Sequence, residues 1–372
     1  MTQPDNFGFT EEAALLKDSA RKMLAENFTA DVLHGMAAGD PTPERGPALA
    51  WDEGLWNQMQ ELGWGLLAVP EAQGGVGMPL VAVAGLCEEL GRAAFPCPLL
   101  PTLSASYLLS AAGAGGAAPL EEIAGGATAS LAVSNARGSW DFAETPIEVV
   151  GGKLEGTACF VQDVAKVSHL LVCARNAAGA GLYWLPVDAE GVEVQGDAIV
   201  DLSRDQGRVI LSGAEAIEVC ADAAPAFDRA MPAIWTLYAA DMVGAGEWQL
   251  QTTVEYANQR QQFDRPLGFF QAVKHQLVDV MVDIDRAKSL VYGAACAWDT
   301  EPEKATRYAH MAKAAASDMA AYASSRSVQC HGGIGFTWEC FIHLFFKRQK
   351  HSQMLWGDGP WHRARLADIV IG

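Results

Sequence analysis

The hydrophobic period of this chain changes twice, and that restricts what it can fold into. From Thr10 the apolar residues recur at helical spacing: Ala14, Leu15, Ala20 and Leu24 follow a cap in which Thr10 precedes Glu12 and Ala13. Helical segments return over 51–62, 81–91 and 102–109, broken by Gly- and Pro-rich stretches at 35–47, 70–79 and 96–98. An Ala/Gly-rich seam at 111–128, with a short helix expected from Pro119, leads to a different pattern. From 129 to about 221 the apolar runs are short: Leu170-Leu171-Val172-Cys173-Ala174, Leu182-Tyr183-Trp184-Leu185 and Val209-Ile210-Leu211 are bounded by Gly, Asp, Asn and Pro. That spacing predicts five to eight strands, with a hairpin through Gly151-Gly152. From 226 the helical period resumes in four long segments near 232–259, 271–298, 303–329 and 344–371, joined by short loops as in an antiparallel bundle. The expected fold is α+β multidomain: an N-terminal α-helical domain over 1–125, a middle all-β domain over 126–224, and a C-terminal four-helix bundle over 225–372.

Composition removes several functions. The 372 residues, half of them apolar, suffice for two or three packed domains. The formal charge is −19, and no Lys/Arg run tracks a phosphate backbone, so no nucleic-acid partner is expected. Apolar runs are interrupted well short of a membrane span, which argues against membrane insertion. The opening Met1–Asn6 has neither a basic nor an apolar signal region. Eight cysteines fall in no C-x-x-C spacing and read as thiols of a reducing compartment, so a cytoplasmic location is expected. His343, His351 and His362 lie too far apart in sequence for a compact metal-ligand set, and no metal is expected.

Two stretches carry chemistry. In the first, 260–271, Arg260 stands at a helix end, a turn passes through Arg265-Pro266-Leu267-Gly268, and a long helix follows. Its apolar face runs through Phe270, Val273, Leu277, Val280, Ile284 and Val291. Arg260 alone could cap a helix or pair with a carboxylate. In the second stretch, Gln329 precedes Gly332-Gly333-Ile334-Gly335 by about one helical turn. Glycines let backbone approach a bulky ligand, and a guanidinium fork matches phosphate. Together they suit a nucleotide diphosphate, although the spacing is neither a Rossmann fingerprint nor a P-loop.

These stretches resemble the carboxy-terminal signatures of the acyl-CoA dehydrogenase family, R-x-x-F-G…F-Q and Q-x-x-G-G-x-G-F-T-x-E. Trp56, Glu61-Leu62-Gly63-Trp64 and Pro70-Glu71-Ala72-Gln73-Gly74-Gly75-Val76-Gly77-Met78 resemble its amino-terminal L-G and P-E-x-x-G-G-x-G. The matches keep their order across nearly the whole chain. The resemblance implies FAD as cofactor and an acyl-CoA substrate. A carboxylate takes the α proton, the β hydrogen leaves as hydride to the flavin, and an electron-transfer flavoprotein is the redox partner. It further implies a homo- or hetero-tetramer in which neighbouring chains share each flavin. Arg260, Gln262 and Phe263 match the flavin-phosphate motif, Gln329, Gly332 and Gly333 its second half, and Gln271 the position near the adenine. The family glycine after Phe is Asp264 here, a carboxylate able to pair with Arg260. The flavin-ring loop falls at 132–139, where only small and polar character survives. Phe160-Val161-Gln162 stands for the family's W-I-T, with Phe160 as either flavin-packing ring or core residue.

The base departs furthest. The family glutamate lies nine residues beyond an arginine, which from Arg348 gives Gly357; the alternative helix position falls near Ile234 or Trp235. The candidates left are Asp358, then Asp241 and Glu247, each with a helix-cap or surface alternative. These departures resemble the heteromeric dehydrogenases of steroid side-chain degradation, in which two family chains share flavin sites. Three functions stay open: a dehydrogenase subunit whose partner supplies the base, a non-catalytic subunit that completes a partner, and a homomeric enzyme using Asp358.

Overall fold

The structure, a computed structural model, describes residues 6–38 and 51–372. The opening five residues and most of the Gly/Pro-rich stretch at 35–47 therefore lie outside the described residues.

Six helices come first: α1 (Glu11–Asn27), α2 (Ala30–Ala38), α3 (Glu53–Glu61), α4 (Leu80–Ala93), α5 (Leu99–Ala111) and α6 (Ala117–Ala124). Local sequence fixes their starts. The Ala13 amide donates to Thr10 Oγ1 at 3.2 Å, and Glu11 and Glu12 favour the same positive end of α1. Asp52 does the same for α3, accepting from Leu55 N at 2.8 Å. Helix α5 is buried nearly all round, and its apolar residues show little face preference, whereas α4 is buried over 80–91 yet keeps its charged residues to one side.

Eight strands follow: β1 (Ala129–Ala132), β2 (Ile147–Val150), β3 (Lys153–Gln162), β4 (His169–Asn176), β5 (Gly179–Pro186), β6 (Val192–Gly196), β7 (Gln206–Ala214) and β8 (Ile217–Cys220). They form one sheet in the order β6-β7-β3-β2-β4-β5-β8, with β1 parallel to β4. Gly151 and Gly152, both at positive φ, make the tight turn between β2 and β3. The sheet serves two cores by strict alternation. Leu170, Val172 and Ala174 of β4 face a small core of the sheet's own, with Leu154, Val209 and Leu211. Leu171 and Cys173 face the other way, into the core shared with the helices.

The last part is helical: α7 (Ala224–Gln259), α8 (Gln271–Thr300), α9 (Pro302–His331), α10 (Ile342–Met354) and α11 (Gly359–Ile371). The single helix expected over 344–371 is therefore two. Trp356 and Gly357 adopt φ of 59° and 99°, which no right-handed helix accommodates, and Pro360 then suits the first turn of α11. Helix α7 begins before Pro232 and runs through it. The proline removes one backbone donor, and the Thr236 hydroxyl bonds the Pro232 carbonyl at 2.7 Å.

The N-terminal helices and the bundle are fused along α4 and α7. A Cβ at Gly91 would lie 1.9 Å from the Asp241 carbonyl oxygen, and one at Gly244 would lie 1.7 Å from that of Glu88. The two backbones touch, and only glycine permits it. Beside this crossing, the buried Glu88 accepts from Lys17 (2.7 Å), Lys288 (2.8 Å) and Tyr292 (2.7 Å), tying α1, α4 and α8 together. Gly91→Ala or Gly244→Ala should each destabilise the fold by about 3 kcal/mol, because backbone has no rotamer with which to yield. Gly35→Ala, at an open helical position, should be neutral or stabilising by about 0.5 kcal/mol. Chemical denaturation of the three variants checks both expectations.

Candidate functional site

Two regions answer to the sequence-predicted residues. The first is one end of the bundle. Helix α7 stops at Gln259, and the amide of Arg260 still donates to Tyr256 O at 2.8 Å. Gln261-Gln262 then pair with Arg265-Pro266 in a small hairpin. Phe263 and Asp264 form its tip at φ of 53° and 59°, a left-handed pair that glycine adopts more cheaply. Phe263 is 86% exposed. Asp264 forms no ion pair with Arg260 among the described residues, so the guanidinium is not spent on it. Helix α9 ends close by: the Tyr256 ring stacks on His331 at 4.2 Å, and its hydroxyl donates to the His331 carbonyl at 3.4 Å. The Cβ directions of Gly332 and Gly333 meet nothing within 4 Å. Arg260, Gln262, Gln271, Gln329, Gly332 and Gly333 are all exposed. A cation, three amides and two bare backbone positions thus share one end of the bundle. They suit a diphosphate that arrives from outside the chain.

The second region is the cleft between the sheet and α10. Phe160 sits on β3 at a register irregularity and at φ 58°. It lines a chamber of about 650 Å³ with Gly138, Trp140, Ile199, His351 and Met354. A second chamber, about 300 Å³, is walled by aromatic rings: Trp140, Phe142, Phe227, Trp235, Trp356 and Trp361. Gln162, which stands where the resemblance has a threonine, donates to Phe160 O at 3.0 Å and to Gln206 Oε1 at 3.1 Å. Phe160 and Arg260 therefore lie in different regions of this chain.

Each acidic candidate already has a task. Asp358 is the N-cap of α11 and accepts from Trp361 N at 2.8 Å. Gly357, at the family glutamate position, has a Cβ direction that would pass 2.5 Å from Trp361 Cε3, so no side chain fits. Ile234 and Trp235 are buried and carry no acid. Glu247 pairs with Arg92 and, at 2.6 Å, with Lys288. Asp241 is fully enclosed: Arg204 donates to it at 2.7 Å and Arg348 donates to its other oxygen. Arg348 also reaches Ser203 Oγ at 3.1 Å. The same network takes in Asp201, which faces His351 Nδ1 at 3.0 Å. Burial raises the Asp201 pKa, but His351, Arg204 and Arg348 outweigh it and hold the carboxyl well below the usual carboxylate range.

The late histidines serve three separate places. His351 belongs to the network just described, and His343 packs edge-on against Trp338. His362 is buried against His310, with their Nδ1 atoms 2.7 Å apart, and its Nε2 lies 3.2 Å from Trp356 O. His362 Nε2–H donates to that carbonyl, which leaves its Nδ1 to accept from His310.

Sequence reasoning missed Arg204, Trp140 and Lys313. Lys313 is fully buried and donates to the carbonyls of Gly357 (2.7 Å) and Gln353 (3.2 Å). Burial lowers its pKa to about 7, with Asp358 raising it. A charged residue within an alanine-rich helix was the one available signal.

Removing one partner of the buried network leaves charge uncompensated. Asp241→Asn should cost about 3–5 kcal/mol in denaturant unfolding. The histidine pair gives a pH dependence. Burial, reinforced by Arg365, lowers the His310 pKa to about 4; burial, with Lys313 and His310, pushes His362 further down. Both stay neutral in the fold, while the unfolded chain takes up protons as pH falls through 6.5. Stability contributed by this pair is therefore present above pH 6.5 and lost below it, at about 1.4 kcal/mol per pH unit for each ring. Asp205, whose pKa burial and Asp163 raise to about 6, acts in the opposite direction below pH 6. The His362→Gln comparison cancels that contribution: between pH 6.5 and 5 its unfolding free energy should fall less steeply than wild type, by about 1 kcal/mol per pH unit.

The comparisons with known proteins agree with this fold. Models of the acyl-CoA dehydrogenase N-terminal and C-terminal domains match residues 10–115 and 236–371. The chain is 34% identical to acyl-CoA dehydrogenase IpdE2 of Mycobacterium tuberculosis over 93% of each chain. It is 30% identical to the IpdE2 of Mycolicibacterium smegmatis, over 97% of this chain and all of that one. Among solved structures, a variant of the Tcur3481–Tcur3483 steroid ACAD superposes with a TM-score of 0.85 at 28% identity, covering 97% of this chain and 98% of that one. With its helical, sheet and helical parts in family order and both family domains matched, the chain belongs to the acyl-CoA dehydrogenase family.

Proposed function

We propose that this chain is one subunit of a heteromeric FAD-dependent acyl-CoA dehydrogenase. It lends the exposed end of its bundle to a flavin lying on a partner's sheet, and the partner supplies the base. The observation that carries this reading is that every acidic candidate is committed elsewhere: Asp358 to a helix cap, Asp241 and Glu247 to cations, while Gly357 leaves no room. The Tcur3481–Tcur3483 protein, named as a pair, supports it.

FAD, when bound, supplies the hydride acceptor for α,β-dehydrogenation of a CoA thioester. Arg260 would hold its diphosphate through the planar fork, Gln262, Gln271 and Gln329 would donate amides, and Gly332-Gly333 would let backbone come close. Phe263 would add an apolar contact at the same edge. The assembly would be a tetramer, a dimer of dimers, passing electrons to an electron-transfer flavoprotein in the cytoplasm. No helix among the described residues is long and apolar enough to cross a membrane. A second reading, a subunit that completes its partner without touching cofactor or substrate, draws on the exposed apolar hairpin tip.

The test is the visible spectrum and flavin content of the chain expressed alone and beside an adjacent family gene. The expected result is a colourless protein alone and a yellow mixed assembly. Arg260→Gln in that assembly should weaken FAD retention at least tenfold; retention unchanged by Arg260→Gln would favour the structural reading. A yellow homomer with one FAD per chain, bleached by an acyl-CoA, would overturn the partner reading and turn attention to Asp358→Asn.

A further inference from the structure

The N-terminal helices and the bundle enclose a cavity of about 380 Å³ that shares no lining residue with the cleft beside the sheet. Its floor is aromatic. The Trp248 ring of α7 stacks on Phe345 of α10 at 3.7 Å with the planes 10° apart, and Phe28 at the end of α1 meets Phe95 edge-on at 4.7 Å. Thr29 and Ala30, where α2 begins, close one side.

Another wall is ionic. Arg21 donates to both oxygens of the buried Glu89, from Nε at 3.0 Å and from Nη2 at 2.7 Å. Arg92 pairs with Glu247, while its buried Nε faces Glu89 Oε2 at 3.3 Å without the alignment of a hydrogen bond. The network around this wall is one negative charge short. Four cations, Lys17, Arg21, Arg92 and Lys288, share three carboxylates, Glu88, Glu89 and Glu247. Asp18, one turn before Arg21, forms no ion pair with it among the described residues. In a chain of formal charge −19 this local excess of cation runs against the average. An apolar cavity with a few convergent polar groups is the usual form of a small-molecule site, and a half-buried guanidinium favours a carboxylate there more than it does in open water.

We propose that this cavity is a separate ligand site, built for a planar, ring-bearing monocarboxylate whose ring lies against Phe28 and Trp248 and whose carboxylate meets Arg21 and Arg92. One negative charge on the ligand balances the network. Both Glu89 oxygens are taken up by Arg21, so no free base lines the cavity and the site binds without reacting. An occupant bridges α1, α4, α7 and α10. The inference goes beyond the shared-flavin reading and does not depend on it.

The test is fluorine NMR of the full chain labelled with 5-fluorotryptophan, with 2-naphthoate and its uncharged amide, 2-naphthamide, as probes. The Trp248 signal is identified by its loss in Trp248→Phe. 2-Naphthoate should shift that signal saturably, and 2-naphthamide should bind about tenfold more weakly for want of the charge-assisted contacts. Arg21→Gln should weaken 2-naphthoate about tenfold and leave 2-naphthamide unchanged. Ala25→Phe, at the exposed rim on α1, fills the cavity without removing a charge and should abolish both shifts. A Trp248 signal unmoved by 2-naphthoate would overturn the proposal, as would equal affinity for acid and amide or a shift that persists in Ala25→Phe. Flavin content is not read, so a failure here leaves the shared-site reading standing, and the reverse also holds.

Discussion

The pairing of one aspartate with two arginines holds the architecture together. Asp241 sits midway along α7, Arg204 comes from the loop entering β7, and Arg348 comes from α10. Two helices of the bundle and the loop that enters the sheet thus converge on one buried carboxylate. Apolar packing is indifferent to small rotations, whereas a doubly bonded carboxylate accepts its donors from fixed directions only. The orientation of sheet against bundle, and hence the shape of both chambers, follows from that geometry.

This arrangement commits Asp241, the acidic residue on the first bundle helix, to two arginines. A buried carboxylate that accepts from two guanidinium groups has its oxygens occupied, which leaves none directed at a substrate proton. The exposed end of the bundle is the opposite case. Arg260, Gln262 and Gln329 stay at the surface with their hydrogen-bonding capacity directed outward. One region is closed and charge-balanced, the other open to solvent.

Much of this was legible in the sequence because it depends on local signals. Period changes marked the sheet between two helical parts, Thr10 and Gly151-Gly152 marked a helix start and a hairpin, and Arg260 and Gln329 could be placed at helix ends. The break at 355–358 was the local signal misjudged. The helical period persists on both sides of Trp356 and Gly357, and only the positive φ values and the Asp358 cap end the helix. What could not be read depends on residues far apart in sequence. Nothing near Asp241 announces Arg204 or Arg348, and nothing near Trp140 announces Trp356. Such pairings arise from the packing of whole elements, and Asp and Arg, usually exposed, by themselves give no sign that they will be buried together.

The contact of bare backbone at Gly91 and Gly244 has a mechanical meaning. Helices separated by side chains can slide, since rotamers yield as ridges pass grooves, but two backbones in register lock like a keyed shaft. Shear along α4 and α7 is thereby removed, and the N-terminal helices move with the bundle as a single stiff block. Any widening of the cleft must come from the sheet pivoting, or from α10 and α11 turning about the short break that joins them.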